Sequence, residues 1–136
     1  MEHVEAAISN LELAKKAYKL FAEGDIPSFM EMHNDDVVYE IMGEPDIPYA
    51  GTFRGKEEVM NLFGKINETI KFKKFEPKEF ITEGDSMAVV VDTESEVLSN
   101  GKIVQRDLVH LLTFKDGKCT WLRDFSDTNR LVKALM

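Results

Sequence analysis

The sequence predicts an α+β fold in which N-terminal helices gather on one face of a curved antiparallel β-sheet. Three observations carry this. Apolar residues recur at helical spacing only in the first half of the chain. Long β-type segments, Lys71 to Thr82, Met87 to Leu98 and Lys102 to Phe114, fill the second half. Turn signals ("EGD", "SNG" and "KDG") separate those segments where hairpins need them. Helices first and a meander second is the α+β order.

The elements follow in sequence. From Asn10 to Glu23, the apolar residues Leu11, Leu13, Ala14, Ala17, Tyr18, Leu20 and Phe21 recur at helical spacing. Ser9 with Glu12 reads as a capping box that opens this helix, and Gly24 closes it. Asp25 caps a short second helix with Pro27 in its first turn. "DVVYEIM" is a strand. "GEPDIPYAGTFRG" holds two prolines and three glycines and reads as loop. "KEEVMNLFGKINETI" is a third helix, with Val59, Leu62, Phe63 and Ile66 on one face. The last strand runs from Cys119 to Phe125, and "TNRLVKAL" forms a closing helical turn.

Composition sets bounds. A chain of 136 residues, 43% hydrophobic and 31% charged, has the size of one compact domain with a real core, and residues 1–136 are expected to form it. The net charge of -8 argues against nucleic acid or an anionic membrane as partner, since phosphate binding needs clustered Lys and Arg. The single Cys119 cannot form an internal disulfide, and no Cys/His group has zinc spacing, so no metal is expected. A buried thiol is the ordinary role for Cys119. No signal peptide or apolar run of membrane length is seen, so a cytoplasmic setting is expected.

Loop length decides which polar residues share a face. In "VHLLTFKDGKCTWLRDFSD", a two-residue Asp116-Gly117 turn puts His110 and Asp124 on opposite faces. A three-residue loop with a bulge at Gly117 puts them on one face, Asp124 opposite Leu108. In the preceding hairpin a two-residue turn sets Glu94 against Asp107, a repulsive pair, whereas three residues set Glu94 against Arg106. Three-residue loops are therefore expected in both. One face then carries Glu94, Glu96, Arg106, Leu108, His110, Leu112, Leu122 and Asp124, the other Val89, Val91, Val109, Leu111, Trp121, Arg123 and Phe125.

"AYKLFAEGDIPSFMEMHNDDVVYEI", "PYAGTFRGKEEVMNLF" and "HLLTFKDGKCTWLRDFSDT", in this order, resemble the SnoaL-like group of the nuclear transport factor 2-like superfamily. The resemblance spans about residues 10 to 130. It implies a cone, a curved sheet wrapped around helices with an apolar cavity in its mouth, and a homodimer through the outer sheet face. Polyketide cyclases of this type use an Asp on the last strand and a His one strand earlier, which Asp124 and His110 match. Limonene-epoxide hydrolases use Asp-Arg-Asp. The last-strand Asp again falls on Asp124, the other two near Glu94 and Glu96, where the arginine is absent and Arg106 stands on the adjacent strand. The ketosteroid isomerase residues fall at or near Ala17, Ile41 and His110. All three differ, with Tyr18 one residue off.

The resulting expectation is cofactor-free acid/base chemistry, of cyclase, isomerase or hydrolase type, on a small apolar or amphipathic molecule. Asp124 is the acid/base and His110 its partner. Glu94, Glu96 and Arg106 form a polar floor, Tyr39 donates a hydroxyl, and Ile41, Leu108 and Leu122 supply apolar wall. The competing expectation is a ligand-binding or dimerising module of the same fold with no turnover.

Overall fold

The structure is a computed structural model and describes the backbone of residues 2–136 and the side chains of residues 10–136. Helices α1 (Glu2–Ala22) and α2 (Ile26–Glu31) come first. They are followed by β1 (His33–Ile41), β2 (Gly51–Arg54) and α3 (Gly55–Thr69). The meander β3 (Ile70–Glu83), β4 (Ser86–Val97), β5 (Ile103–Lys115) and β6 (Lys118–Ser126) leads into α4 (Thr128–Leu135). All six strands join one sheet in the order β2-β1-β6-β5-β4-β3. The expected all-antiparallel sheet is mixed, because β1 runs parallel to β6. This pairing connects the helical half of the chain to the meander and closes the inner surface around the helices.

Several local expectations hold and others need correction. Gly24 ends α1 at φ 78, with Asp25 N–H reaching back to Leu20 O at 3.0 Å. Asp25 caps α2 by accepting from Ser28 N–H, with Pro27 in the first turn. Asp127 caps α4 in the same way, accepting from Arg130 N–H. The capping box at Ser9 does not open α1, whose backbone runs on through Ser9 to Glu2. The segment read as loop contains β2, which pairs along β1 from Val38–Arg54 to Ile41–Gly51. Four residues are too few for a period-two signal to stand out between two prolines and three glycines.

Helix α1 buries Asn10, Ala14 and Tyr18, spaced four apart, while α3 buries Val59 and Leu62 completely. Against them the sheet turns Met87, Val89 and Val91 of β4 and Leu108 and Leu112 of β5 inward. Val89 lies directly opposite His110. Val89 and Val91 therefore share the face of His110, contrary to the expected division. Pro77, which has no N–H for a ladder, sits on the edge strand β3, where registers shift near Phe72/Lys74 and Pro77/Glu79.

Candidate functional site

Both hairpin loops differ from expectation, with opposite consequences. Between β5 and β6, Lys115 pairs with Lys118, so the turn holds two residues, Asp116 at φ 51 and Gly117 at φ 77. These are the two positive φ values of a tight type I′ turn. The bulge is not at Gly117. It lies further along β6, where Phe114 pairs with Cys119 but Thr113 with Trp121, so Thr120 is the extra residue. Its hydroxyl donates to Thr113 O at 3.2 Å. That extra residue reverses the facing of everything beyond it, and Asp124 comes to lie directly opposite His110 rather than opposite Leu108.

Between β4 and β5 the loop holds four residues. Val97 N–H donates to Lys102 O, and Gly101 N–H to Val97 O, each at 2.8 Å. Thr93, not Glu94, now faces Arg106, and Glu94 faces Gln105. The expected Glu94–Arg106 ion pair does not form, and Glu94 and Glu96 point to the outer face, where Glu96 pairs with Lys73 at 3.2 Å. The premise of that expectation fails one step away. Asp92 and Asp107 oppose each other, and Lys74 on the neighbouring strand offsets the repulsion with a 2.6 Å contact to Asp92. This pair holds the Lys74 proton more tightly and raises its pKa.

The inner face surrounds a cavity of about 100 Å³. Among the expected site residues, Tyr39, Ile41, Arg106, Leu108, His110, Leu122 and Asp124 line it, and Glu94 and Glu96 do not. The parallel pairing of β1 sets Ile41 beside Asp124 and Tyr39 beside Leu122. Rings from Phe21, Phe29, Phe63, Phe72, Phe75 and Phe114 share the remaining wall with aliphatic side chains.

A hydrogen-bonded chain crosses this apolar space. His110 Nε2 lies 3.0 Å from Asp124 Oδ2, and His110 Nδ1 lies 2.6 Å from the Tyr18 hydroxyl. With Asp124 as carboxylate, Nε2 carries the proton and donates, so Nδ1 accepts the Tyr18 O–H. Burial, then the nearby Cys119 and Asp124, push the Tyr18 pKa well above its ordinary value and keep that hydroxyl protonated. Asp124 Oδ1 has no hydrogen-bond partner among the described residues.

A second histidine, His33, was not singled out from the sequence. Its ring accepts from Tyr39 and donates to the end of α2. Phe29 O can only accept, so His33 Nδ1–H donates to it at 3.0 Å, and Nε2 accepts the Tyr39 O–H at 2.7 Å. Burial lowers the His33 pKa to about 4, with Lys56 adding to the effect and the Phe29 bond opposing it. Cys119 is buried as expected, its thiol pushed up to about 12. Tyr18 could have been found from its place four residues after Ala14 on the buried side of α1. His33, at the end of a short helix before an acidic run, offered no such signal.

The pH consequence of His33 is testable. Its folded pKa lies below the unfolded value, so the unfolded chain binds the proton more readily. The stability is present above pH 6.5 and is lost as pH falls from 6.5 towards 4. The shift corresponds to about 3 kcal/mol. In urea unfolding at pH 7 and pH 4.5, His33→Gln is expected to lose about 2–3 kcal/mol less than wild type. Equal losses in the two proteins would remove His33 as the source.

Among the described residues no group of three or more His, Cys, Asp or Glu is placed to hold a metal ion, and no helix is long and apolar enough to cross a membrane. A family model described as a SnoaL-like domain matches residues 14–122. No curated protein matches. Among solved structures, an NTF2-like protein from Burkholderia xenovorans LB400 is 28% identical, covering 96% of this chain and 98% of that one at a TM-score of 0.85. A Mesorhizobium loti protein classed as a SnoaL-like polyketide cyclase is 25% identical, covering 85% and 97% at 0.70. TerC, crystallised with polyporic acid, is 24% identical, covering 93% and 98% at 0.83, a likeness of fold alone.

Proposed function

This chain belongs to the SnoaL-like family, and on that premise we propose that it binds a small, largely apolar molecule in the cone and moves a proton on it, with Asp124 as acid/base and His110 as its partner. The observation that carries this reading is the Tyr18–His110–Asp124 chain, set in a largely apolar cavity. Asp124 Oδ1 takes a proton from a carbon next to a ligand carbonyl. His110 Nε2–H steadies Asp124 through Oδ2, and Tyr18 O–H holds the imidazole in the tautomer that allows this. Returning the proton at another carbon gives isomerisation. Attack of the enolate on a second carbonyl of the same molecule, with the proton passed to the new alkoxide, gives ring closure. The Mesorhizobium loti protein classed as a SnoaL-like polyketide cyclase fits ring closure, and a protein of the same fold from Rhodopseudomonas palustris is classed as an isomerase.

Benzoylacetone tests the acid/base step without knowledge of the natural substrate. Wild-type protein is expected to accelerate exchange of its C2 protons in D2O, followed by proton NMR. No acceleration over buffer would leave a binding module without turnover.

The outer face fits a second copy of the chain. Trp121 and Phe125 are 37% and 36% exposed beside Val109 and Leu111, and the Arg123 guanidinium lies 4.6 Å over the Trp121 ring. Light scattering is expected to give a dimer, with Phe125→Arg shifting it to monomer. A wild-type monomer at tens of micromolar would refute the pairing.

A further inference from the structure

Arg106 is 6% exposed and lines the cavity, yet it makes no ion pair among the described residues. Among the described residues its side chain makes one hydrogen bond, from Nη1 to Ser126 Oγ at 2.9 Å, and Nε has no partner. The Tyr49 hydroxyl beside it is also buried, with no partner of full hydrogen-bond geometry. Burial raises the Tyr49 pKa, while the Arg106 charge and a weak hydrogen bond from it work against the rise. Two further buried polar atoms without partners, on Asn34 and Ser95, lie outside the cavity wall.

The chemistry of the cavity makes this arrangement unusual. Each of its other ionisable groups either stays neutral or has a hydrogen-bond donor. His33 sheds its proton, Cys119 and the tyrosines keep theirs, and Asp124 accepts from His110 Nε2–H. A guanidinium cannot lose its proton, and burying it unpaired is strongly unfavourable. Glu94, the acid expected to neutralise it, faces outward. Among the described residues no carboxylate lies within ion-pair distance of its guanidinium.

We propose that Arg106, with the Tyr49 hydroxyl, is an anion-binding end of the cone, and that the ligand is an amphipathic carboxylate or comparable oxyanion with an apolar body. This deepens the preceding reading and rests on the same cavity being the ligand site. Arg106 donates to Ser126, two residues along β6 from Asp124, so the anionic head is held on the same inner face as the acid/base. Guanidinium donors match a carboxylate in geometry as well as charge.

Benzoate and benzamide share a shape and differ in charge, and one ring suits a cavity of this size. Binding to the full chain, followed by amide shifts in NMR titration, is expected to favour benzoate by about ten-fold or more. Arg106→Met is expected to abolish the preference and to raise the ligand-free melting temperature. Arg106→Lys keeps a reduced preference, and it carries the test should the methionine variant fail to fold. Equal affinity for both probes, no binding of either, or an undiminished preference in Arg106→Met each overturns the anion site. The preference is read without turnover. Benzoylacetone exchange without it overturns the anion site alone, and the preference without exchange overturns the acid/base reading alone.

Discussion

Asp124→Asn is expected to lower benzoylacetone exchange by about 10²–10⁴-fold, the usual contribution of a positioned acid/base, while leaving the melting temperature nearly unchanged. The two halves of this result follow from one geometry. Asparagine keeps an oxygen that can accept from His110 Nε2–H, which now lies 3.0 Å from Oδ2. The hydrogen-bonded chain from Tyr18 therefore survives and so does the packing. What disappears is an oxygen basic enough to take a proton from carbon. A structural residue would behave the other way, with stability falling and exchange retained. Exchange within two-fold of wild type would remove Asp124 from the chemistry.

The helices and most strands were legible because their signals are local. Ala14 and Tyr18 on α1, and Val59 and Leu62 on α3, recur at the helical period and are the residues the core buries. Asp25, Pro27 and Gly24 act within one turn of themselves. The strands of the meander could be placed for the same reason, but their mutual register could not. A strand has period two, so an error of one residue in a loop exchanges its faces. Glu94 and Glu96 were misplaced for this reason, since the loop after Val97 holds four residues rather than three.

His110 and Asp124 reached the same face by a different route from the one expected. The turn is the short one, and Thr120 restores the facing that the short turn would have reversed. Nothing in "KCTW" marks a bulge, because its residues suit a regular strand equally well. The like-charge rule failed for a physical reason too. Asp92 and Asp107 can oppose each other because Lys74, far off in sequence, pairs with Asp92. Pairwise rules applied within one hairpin omit the third strand, and in a sheet every inner strand has one. Misplacing Glu94 also concealed what is most distinctive about the cavity. An Arg106 neutralised by Glu94 would be a structural bridge, whereas an Arg106 without it is the basis of the proposed anion site.

The second large effect concerns the middle of the chain. His110→Leu keeps an apolar volume but strands two groups, the Tyr18 hydroxyl and the Asp124 carboxylate, inside the cone. A buried donor or acceptor left without its partner costs about 1–3 kcal/mol, more when charged. The Asp124 side chain retains 16% of its exposure, so water reaches it, and about 3 kcal/mol for the two groups together is expected. That corresponds to a drop of roughly 10 °C in melting temperature for a chain of this size. Exchange should fall at least as far as in Asp124→Asn, because the remaining carboxylate has lost its orienting donor. The decisive comparison is the same substitution made in Asp124→Asn. A neutral amide suffers less from losing its partner than a carboxylate does, so His110→Leu should cost about 1–2 kcal/mol less there. Denaturant unfolding of the four proteins measures this coupling. If the cost is the same in both backgrounds, His110 fills space and does not hold the Asp124 charge. In catalysis the two substitutions should fail to add, since His110 acts only through the Asp124 carboxylate.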